Sequence, residues 1–232
     1  PYLDEYFSDI SESERKKVKF FVSDMYDGFS TVHHRYFNGS IHIIDTFHIV
    51  TQLTNAVNRL RITAMNSCED KNSLLCRFMK SNWKYFMCRT EDIPDRYYSS
   101  RKTEERYHFT DMIFMCTSMN RNLQTGYNIL QDLFHYSDKH TYTEAEEFIE
   151  YISKRLIESD CETLMAVGRT YSKWKVGIAN TLSRNQNTIR YSNSVAENIN
   201  NHIKTIIKTA YGYKNFERFR KRCMLIITYK SL

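Results

Sequence analysis

Two short apolar runs, each closed by an aspartate, constrain the fold of this chain more than any other feature. They are VKFFVSD at residues 18–24 and IHIID at residues 41–45. Short runs rich in β-branched and aromatic residues indicate buried strands. Between them, residues 25–37 predict a helix and Asn38-Gly39 predicts a turn. Two strands joined by a helix form a βαβ unit, so we expect parallel strands and a right-handed crossover.

The rest of the chain predicts helices. Only two prolines and six glycines occur in 232 residues, which disfavours Gly/Pro-rich all-β folds. A helical pattern runs from Phe47 to about Lys84, and another fills most of residues 90–180, with breaks near residues 93–103 and 136–147. In the second break, Thr143 with Glu146 resembles a capping box. The sequence therefore predicts an α/β protein dominated by helices.

The C-terminal quarter combines helical periodicity with positive charge. Residues 184–193 are polar and predict a loop, and helices are predicted at about residues 194–210 and 215–229. The chain carries a net charge of +6, and between residues 202 and 230 only Glu217 is acidic. An amphipathic helix with lysines and isoleucines interleaved suits phosphate contacts. A solvated basic face is the simpler alternative.

Three carboxylates are candidates for a functional site. Asp24 and Asp45 end the two strand candidates, and the carboxyl ends of adjacent parallel strands line the crevice where α/β sheets bind ligands. Carboxylates there could hold Mg²⁺ together with phosphate oxygens. The competing interpretation is that each aspartate caps the helix after its strand. Glu197 is equally ambiguous, because Ser194 and Glu197 also form a capping box.

Other signals indicate no particular chemistry. Six scattered cysteines without a C-x-x-C pair predict reduced thiols in a cytoplasmic protein. No apolar run approaches the roughly 18 residues of a membrane helix. The sequence contains no Walker loop, G-x-G-x-x-G, G-x-S-x-G or H-E-x-x-H motif. The sequence begins with Pro1 and not with methionine, so we interpret the chain as a fragment of a longer protein.

Three blocks resemble one family. They are VKFFVSDMYDGF (18–29), IHIIDTFHIVTQLTNAVNRLRITAMN (41–66) and SNSVAENINNHIKTIIKTAYGYKNFERFRKR (192–222). Their residues and order resemble the C-terminal part of DDE transposases from bacterial insertion sequences, of the ISL-three family. The resemblance covers essentially the whole chain.

The resemblance implies a ribonuclease-H-like core, with two parallel strands present here, interrupted by a large all-helical insertion. It divides the chain into a partial core at residues 1–50, the insertion at 51–185, and core helices at 186–232. Such enzymes hold two Mg²⁺ (or Mn²⁺) ions on an Asp-Asp-Glu triad and cut and join DNA. By position Asp24 would be the second acid and Glu197 the third, both as metal ligands, and Asp45 matches a neighbouring acidic position. The resemblance thus implies that Asp24, Asp45 and Glu197 are the catalytic residues.

The resemblance also implies the partners. Insertion-sequence ends and target DNA would be bound by basic residues that track the backbone, in a complex of several copies and associated with the nucleoid. These residues are Lys204, Lys208, Lys214, Arg218, Arg220 and Arg222.

Departures from the family pattern qualify this prediction. The strand with the first catalytic aspartate has no counterpart in the chain, and Thr46, Ser194 and Asn198 replace an arginine and two glycines. We therefore expect a truncated copy that is inactive alone. Two alternatives stay open at this point: a non-catalytic helical DNA-binding remnant, and a helical protein-interaction protein.

Overall fold

A computed structural model describes residues 2–99, 106–136, 140–183, 194–210 and 212–230. The chain forms two compact units, residues 1–189 and 190–232, and helices dominate both. No helix in the described ranges is long and apolar enough to cross a membrane. The predicted division at residues 50 and 185 stays a prediction.

The helices of the first unit are α1 (Tyr2–Ser8), α2 (Glu12–Arg15), α3 (Asp27–Tyr36), α4 (Thr46–Ser67), α5 (Leu74–Ser81), α6 (Phe109–Ser118), α7 (Arg121–His135), α8 (Tyr142–Ile157), α9 (Glu162–Lys173) and α10 (Lys175–Leu182). Its strands are β1 (Phe20–Ser23), β2 (Ile41–Ile44), β3 (Tyr97–Ser99) and β4 (Arg106–His108). The second unit contains α11 (Ser194–Thr209) and α12 (Phe216–Lys230).

Strands β1 and β2 form the predicted parallel pair. Phe20 is opposite Ile41 and Ser23 is opposite Ile44. Helix α3 connects the two strands, and the predicted Asn38-Gly39 turn is present after it. The βαβ unit is therefore confirmed by the strand pairing.

Helix α10 closes the outer edge of β2 with side chains. The N–H groups of Ile41 and Asp45 donate to the carbonyls of Lys19, just before β1, and of Ser23 in β1. Because backbone groups alternate along a strand, those of His42 and Ile44 face the other way. The His42 carbonyl accepts from Asn180 Nδ2 at 2.9 Å, and the Ile44 N–H donates to Thr181 Oγ1 at 3.0 Å. These bonds from α10 occupy outward-facing backbone groups of β2, where no third strand pairs within the described residues.

Helix α4 is the centre of the first unit's core. Its buried side chains recur at spacings of three and four residues (Ile49, Leu53, Ala56, Val57, Leu60 and Ala64), and α4 packs against α7 and α9. Full burial of one such side chain contributes about 1.5–3 kcal/mol. The fully buried Tyr171 of α9 adds a polar contact, because its hydroxyl donates to the Ile49 carbonyl at 2.6 Å.

The region between β2 and α11 is not all-helical, which corrects the sequence prediction. Strands β3 and β4 form an antiparallel pair that matches Tyr97 with His108. Aromatic side chains explain this local preference, since they favour strands. The Tyr98 ring packs edge-to-face on buried Phe78, with centroids 5.0 Å apart.

The capping box of α8 lies two residues before the predicted one. Thr141 Oγ1 accepts from the Glu144 N–H, and the Glu144 carboxylate accepts from the Thr141 N–H at 2.7 Å. The prediction of Thr143 with Glu146 was wrong because the sequence offers two overlapping T-x-x-E patterns. The earlier one adds two residues to the helix.

The second unit is a pair of helices that pack against each other. Ile206 of α11 and Cys223 of α12 are buried. Gly212, with φ at +99°, supplies the left-handed backbone conformation that ends helices. Both helices were predicted, whereas the predicted loop at residues 184–193 lies outside the described residues.

Candidate functional site

Asp24 and Asp45 occupy neighbouring positions at the carboxyl edge of the parallel pair. Each directly follows a residue of the matched pair Ser23 and Ile44. The Asp45 N–H also donates to the Ser23 carbonyl at 3.0 Å. Adjacent strands lie about 4.8 Å apart, so both carboxylates lie at the same end of the sheet. The structure thus brings together two of the predicted site residues.

Each aspartate also orders the turn that follows it. Asp45 is 4% exposed and caps α4, since its Oδ1 accepts from the Phe47 N–H at 2.9 Å. The half-buried Asp24 accepts from the Tyr26 N–H at 3.1 Å in the same way. The capping interpretation is therefore correct for Asp45, and capping fixes the direction of a carboxylate without excluding a ligand.

A neutral polar layer supports the two carboxylates. The Ser23 hydroxyl donates to the Asp24 carbonyl at 2.8 Å and therefore accepts from His42 Nε2, also at 2.8 Å. Burial, with smaller contributions from His33 and His34, lowers the pKa of His42 to about 4. The His33 and His42 rings stack with centroids 4.6 Å apart. This layer orients β1 and β2 and adds no charge at neutral pH.

The remaining predicted site residues belong to the second unit. Glu197 is exposed in the first turn of α11, and its role with the two aspartates stays a prediction. The predicted DNA-contacting residues are all exposed: Lys204 and Lys208 on α11, Lys214 before α12, and Arg218, Arg220 and Arg222 on α12. Arg220 also lies 3.6 Å from Glu217. The second unit therefore presents basic side chains to solvent from both helices.

The donor set suits a hard divalent cation. Mg²⁺ binds through one or two carboxylates plus phosphate oxygens more often than in an all-protein cage. Asp24 and Asp45 supply two carboxylates at one sheet edge. Within the described residues no group of three or more His, Cys, Asp or Glu side chains could hold a metal ion. Two carboxylates fit a cation that arrives with a phosphate.

Sequence reasoning missed two groups around this site. Thr181 and Asn180 hold β2 across a long sequence separation, which left no local signal. Tyr26 and Phe47, by contrast, have a local sequence signal, because each follows its aspartate by two residues. Both rings are exposed in the structure.

Comparison with known proteins gives one relative and one family. A Lactococcus lactis subsp. lactis protein named an ATP-dependent protease is 28% identical over 116 residues, or 50% of this chain. The aligned stretch covers 34% of that protein. No solved structure matches the chain. A family model described as a transposase matches residues 1–223, and the chain therefore belongs to the ISL-three family of DDE transposases.

Proposed function

We propose that this chain is the C-terminal part of a transposase that cuts and joins DNA strands at the ends of an insertion sequence. The pairing of Ser23 with Ile44, which places Asp24 and Asp45 side by side, is the observation that carries the proposal. The β1-α3-β2 unit supports a ribonuclease-H-like core. The chain would act on DNA in the bacterial cytoplasm, in a complex of several copies.

The proposed chemistry is phosphoryl transfer assisted by two Mg²⁺ or Mn²⁺ ions. Asp24 and Glu197 would hold the ions, with Asp45 beside Asp24. When bound, the ions would supply activation of the attacking water or 3′-hydroxyl and stabilisation of the leaving oxygen. The residues of this chain would hold the carboxylates in a defined orientation. Asp45 is directed by the Phe47 N–H and Asp24 by the Tyr26 N–H.

We further propose that catalysis requires a third carboxylate besides those of Asp24 and Glu197. In the family it lies on an additional core strand, and β2 offers no place for one, because α10 covers its outer edge. The edge of β1 that faces away from β2 is the position where that strand would pair. We therefore expect the 232-residue chain alone to bind DNA without cutting it.

Strand transfer on element ends tests the chemistry. In a full-length protein that contains this chain, Asp24→Asn and Glu197→Gln each should abolish Mg²⁺-dependent cutting and joining, because each removes a metal-holding carboxylate. Asp9→Asn, at an exposed position of the first unit, is the matched control. Wild-type activity in both Asp24→Asn and Glu197→Gln would refute the assignment.

Metal binding can be measured on the chain itself with Tb³⁺, a hard cation that replaces Mg²⁺ at oxygen ligands. Tyr26 follows Asp24 by two residues, so we expect its ring to sensitise the emission of a Tb³⁺ ion bound there. We expect Asp24→Asn and Asp45→Asn to lower Tb³⁺ affinity, whereas Tyr26→Phe lowers emission and leaves affinity unchanged. Equal affinity in wild type and both aspartate variants would exclude a cation site at this edge.

A salt series separates the proposal from its alternatives. Affinity for a duplex should fall steeply with salt, and each phosphate contact contributes about 0.9 to the logarithmic slope. Lys204→Gln and Lys208→Gln should each lower the slope by about this amount, and Lys80→Gln, at an exposed position on α5, should not. Binding indifferent to Mg²⁺, with no activity in the full-length protein, would favour a non-catalytic DNA-binding remnant. No binding would favour a protein-interaction role.

A further inference from the structure

One three-residue pattern occurs twice at the sheet edge. Asp24-Met25-Tyr26 follows β1 and Asp45-Thr46-Phe47 follows β2. In both, the N–H of the aromatic residue donates to Oδ1 of the aspartate, at 3.1 Å for Tyr26 and 2.9 Å for Phe47. Because the two aspartates follow a matched pair of strand residues, both aromatic residues belong to the same edge as the carboxylates.

Both rings are mainly in solvent. Tyr26 is 62% exposed and Phe47 is 63% exposed. Single exposed aromatics are common on protein surfaces and need no explanation. Here, however, two of them flank a pair of carboxylates that the fold places where α/β sheets bind ligands. Their shared position distinguishes them from scattered surface residues.

Local packing orients each ring without burying it. The Tyr26 ring lies over Gly28, where an added Cβ would come within 2.4 Å of a ring carbon. The ring also contacts Phe29 edge-to-face, with centroids 5.7 Å apart. Phe47 contacts His48 edge-to-face at 5.5 Å. A ring that is already oriented loses little conformational freedom when a flat partner stacks on it.

We infer that Tyr26 and Phe47 stack on unpaired nucleobases of the DNA strand whose phosphate lies at Asp24 and Asp45. This inference rests on the proposed function and adds the groups that hold the strand. The carboxylates repel a phosphate unless a cation lies between them, so the uncharged base is the part of a nucleotide that can contact the protein directly at this edge. Every base has a π-face, so the stacking is independent of sequence.

The inferred contact predicts a preference for DNA with unpaired bases. Stacking of one base on an aromatic ring strengthens binding by about 10-fold. A paired duplex keeps its bases stacked on one another and cannot use the rings. Tyr26 and Phe47 should therefore strengthen binding to an overhang and leave duplex binding to the basic residues of α11 and α12.

The test uses the 232-residue chain with two DNAs of equal length, one fully paired and one with a three-nucleotide overhang containing 2-aminopurine. Tyr26→Ala and Phe47→Ala should each lose about 10-fold in overhang affinity and lose the quenching of 2-aminopurine, and their duplex affinity should change less than 2-fold. Tyr26→Phe should bind as wild type because it keeps the ring.

Two further variants sharpen the result. Gly28→Ala keeps Tyr26 but displaces its ring, so it should lose overhang binding in the same direction as Tyr26→Ala. Phe114→Ala, at an aromatic position of α6 that is 66% exposed, is the matched control and should bind both DNAs as wild type. If an alanine variant does not fold, Tyr26→Leu or Phe47→Leu replaces it, because leucine keeps an apolar side chain without a ring. The leucine variants should also lose affinity for the overhang.

The outcomes separate the two proposals. Wild-type overhang binding and quenching in Tyr26→Ala and Phe47→Ala, while the chain still binds DNA, overturns the inference and leaves the proposed function standing. If the wild-type chain binds neither DNA, the proposed function fails and the inference fails with it. An equal loss on both DNAs also overturns it, because stacking on unpaired bases cannot weaken binding to a paired duplex.

Discussion

Replacing Thr181 by valine removes one hydroxyl from the contact between α10 and β2 and leaves the side-chain shape almost unchanged. Thr181 is 5% exposed, and its Oγ1 accepts from the Ile44 N–H at 3.0 Å. The same oxygen lies 2.6 Å from the Ile44 carbonyl and 2.9 Å from the Gly177 carbonyl, to one of which it donates. Ile44 itself is fully buried, so water cannot replace the lost hydroxyl.

The size of the effect follows from the groups left without a partner. A buried backbone group that loses its partner costs about 1–3 kcal/mol. The variant leaves the Ile44 N–H without a hydrogen-bond partner and removes the hydroxyl near the Ile44 carbonyl. We therefore expect the free energy of unfolding to fall by about 2–3 kcal/mol. In a chain of this length that corresponds to roughly 5–10 °C in Tm.

Urea unfolding followed by tryptophan fluorescence measures this loss. Both tryptophans, Trp83 and Trp174, belong to the first unit, so the signal reports on the unit that contains Thr181. Thr181→Ser keeps the hydroxyl and should retain most of the stability. Thr170→Val is the matched control, because the Thr170 hydroxyl bonds only to the carbonyl of Ala166 within its own helix. A Thr181→Val variant as stable as Thr170→Val would refute the edge-closure argument.

Three further predictions concern the same unit. Because the pKa of folded His42 is lowered to about 4, the unfolded state binds the proton first as pH falls below 6.5. Stability should drop by about 1–2 kcal/mol by pH 5, since His42 is partly exposed and solvent screens its charge; unfolding curves at pH 7.5 and 5 measure this. Gly168→Ala should cost about 1–3 kcal/mol, since its Cβ would lie 2.9 Å from α8, whereas Gly39→Ala, with open space around it, should be near neutral in urea unfolding. Tyr171→Phe removes the buried hydrogen bond to the Ile49 carbonyl. It should lower the free energy of unfolding, measured in urea, by about 1 kcal/mol.

The contradicting results are distinct. A His42→Gln variant with the same pH dependence as wild type would show that His42 does not titrate as described. A Gly168→Ala variant more stable than wild type would mean that α8 and α9 separate easily. A Tyr171→Phe variant with a changed m-value would indicate altered compactness, not the loss of one bond.

The sequence was sufficient for features that depend on neighbouring residues. The runs ending at Asp24 and Asp45 predicted strands because apolar residues cluster there, and parallel pairing followed from the helix between them. The positions of α11 and α12 followed from periodicity and from the Gly212 break. Each signal comes from residues close together in the sequence, and the structure agrees with each of them.

Features that depend on distant or competing contacts could not be predicted. The closure of β2 by Thr181 links residues 137 positions apart, and no local pattern marks it. The β3–β4 pair consists of three-residue strands, too short for alternation to stand out. The α8 capping box had two equivalent sequence matches, and the local spacing does not distinguish Thr141 from Thr143.

The closure of β2 by α10 also determines when this strand can finish folding. A ribosome adds about 5–20 residues per second, so Ile44 waits roughly 7–27 s after its own synthesis for Thr181, which is 137 residues later. During that interval the β2 edge is a template for pairing with any other nascent strand. A chain that stops before residue 181 keeps that edge open permanently, so shortened products of this gene should aggregate even though their βαβ unit is complete.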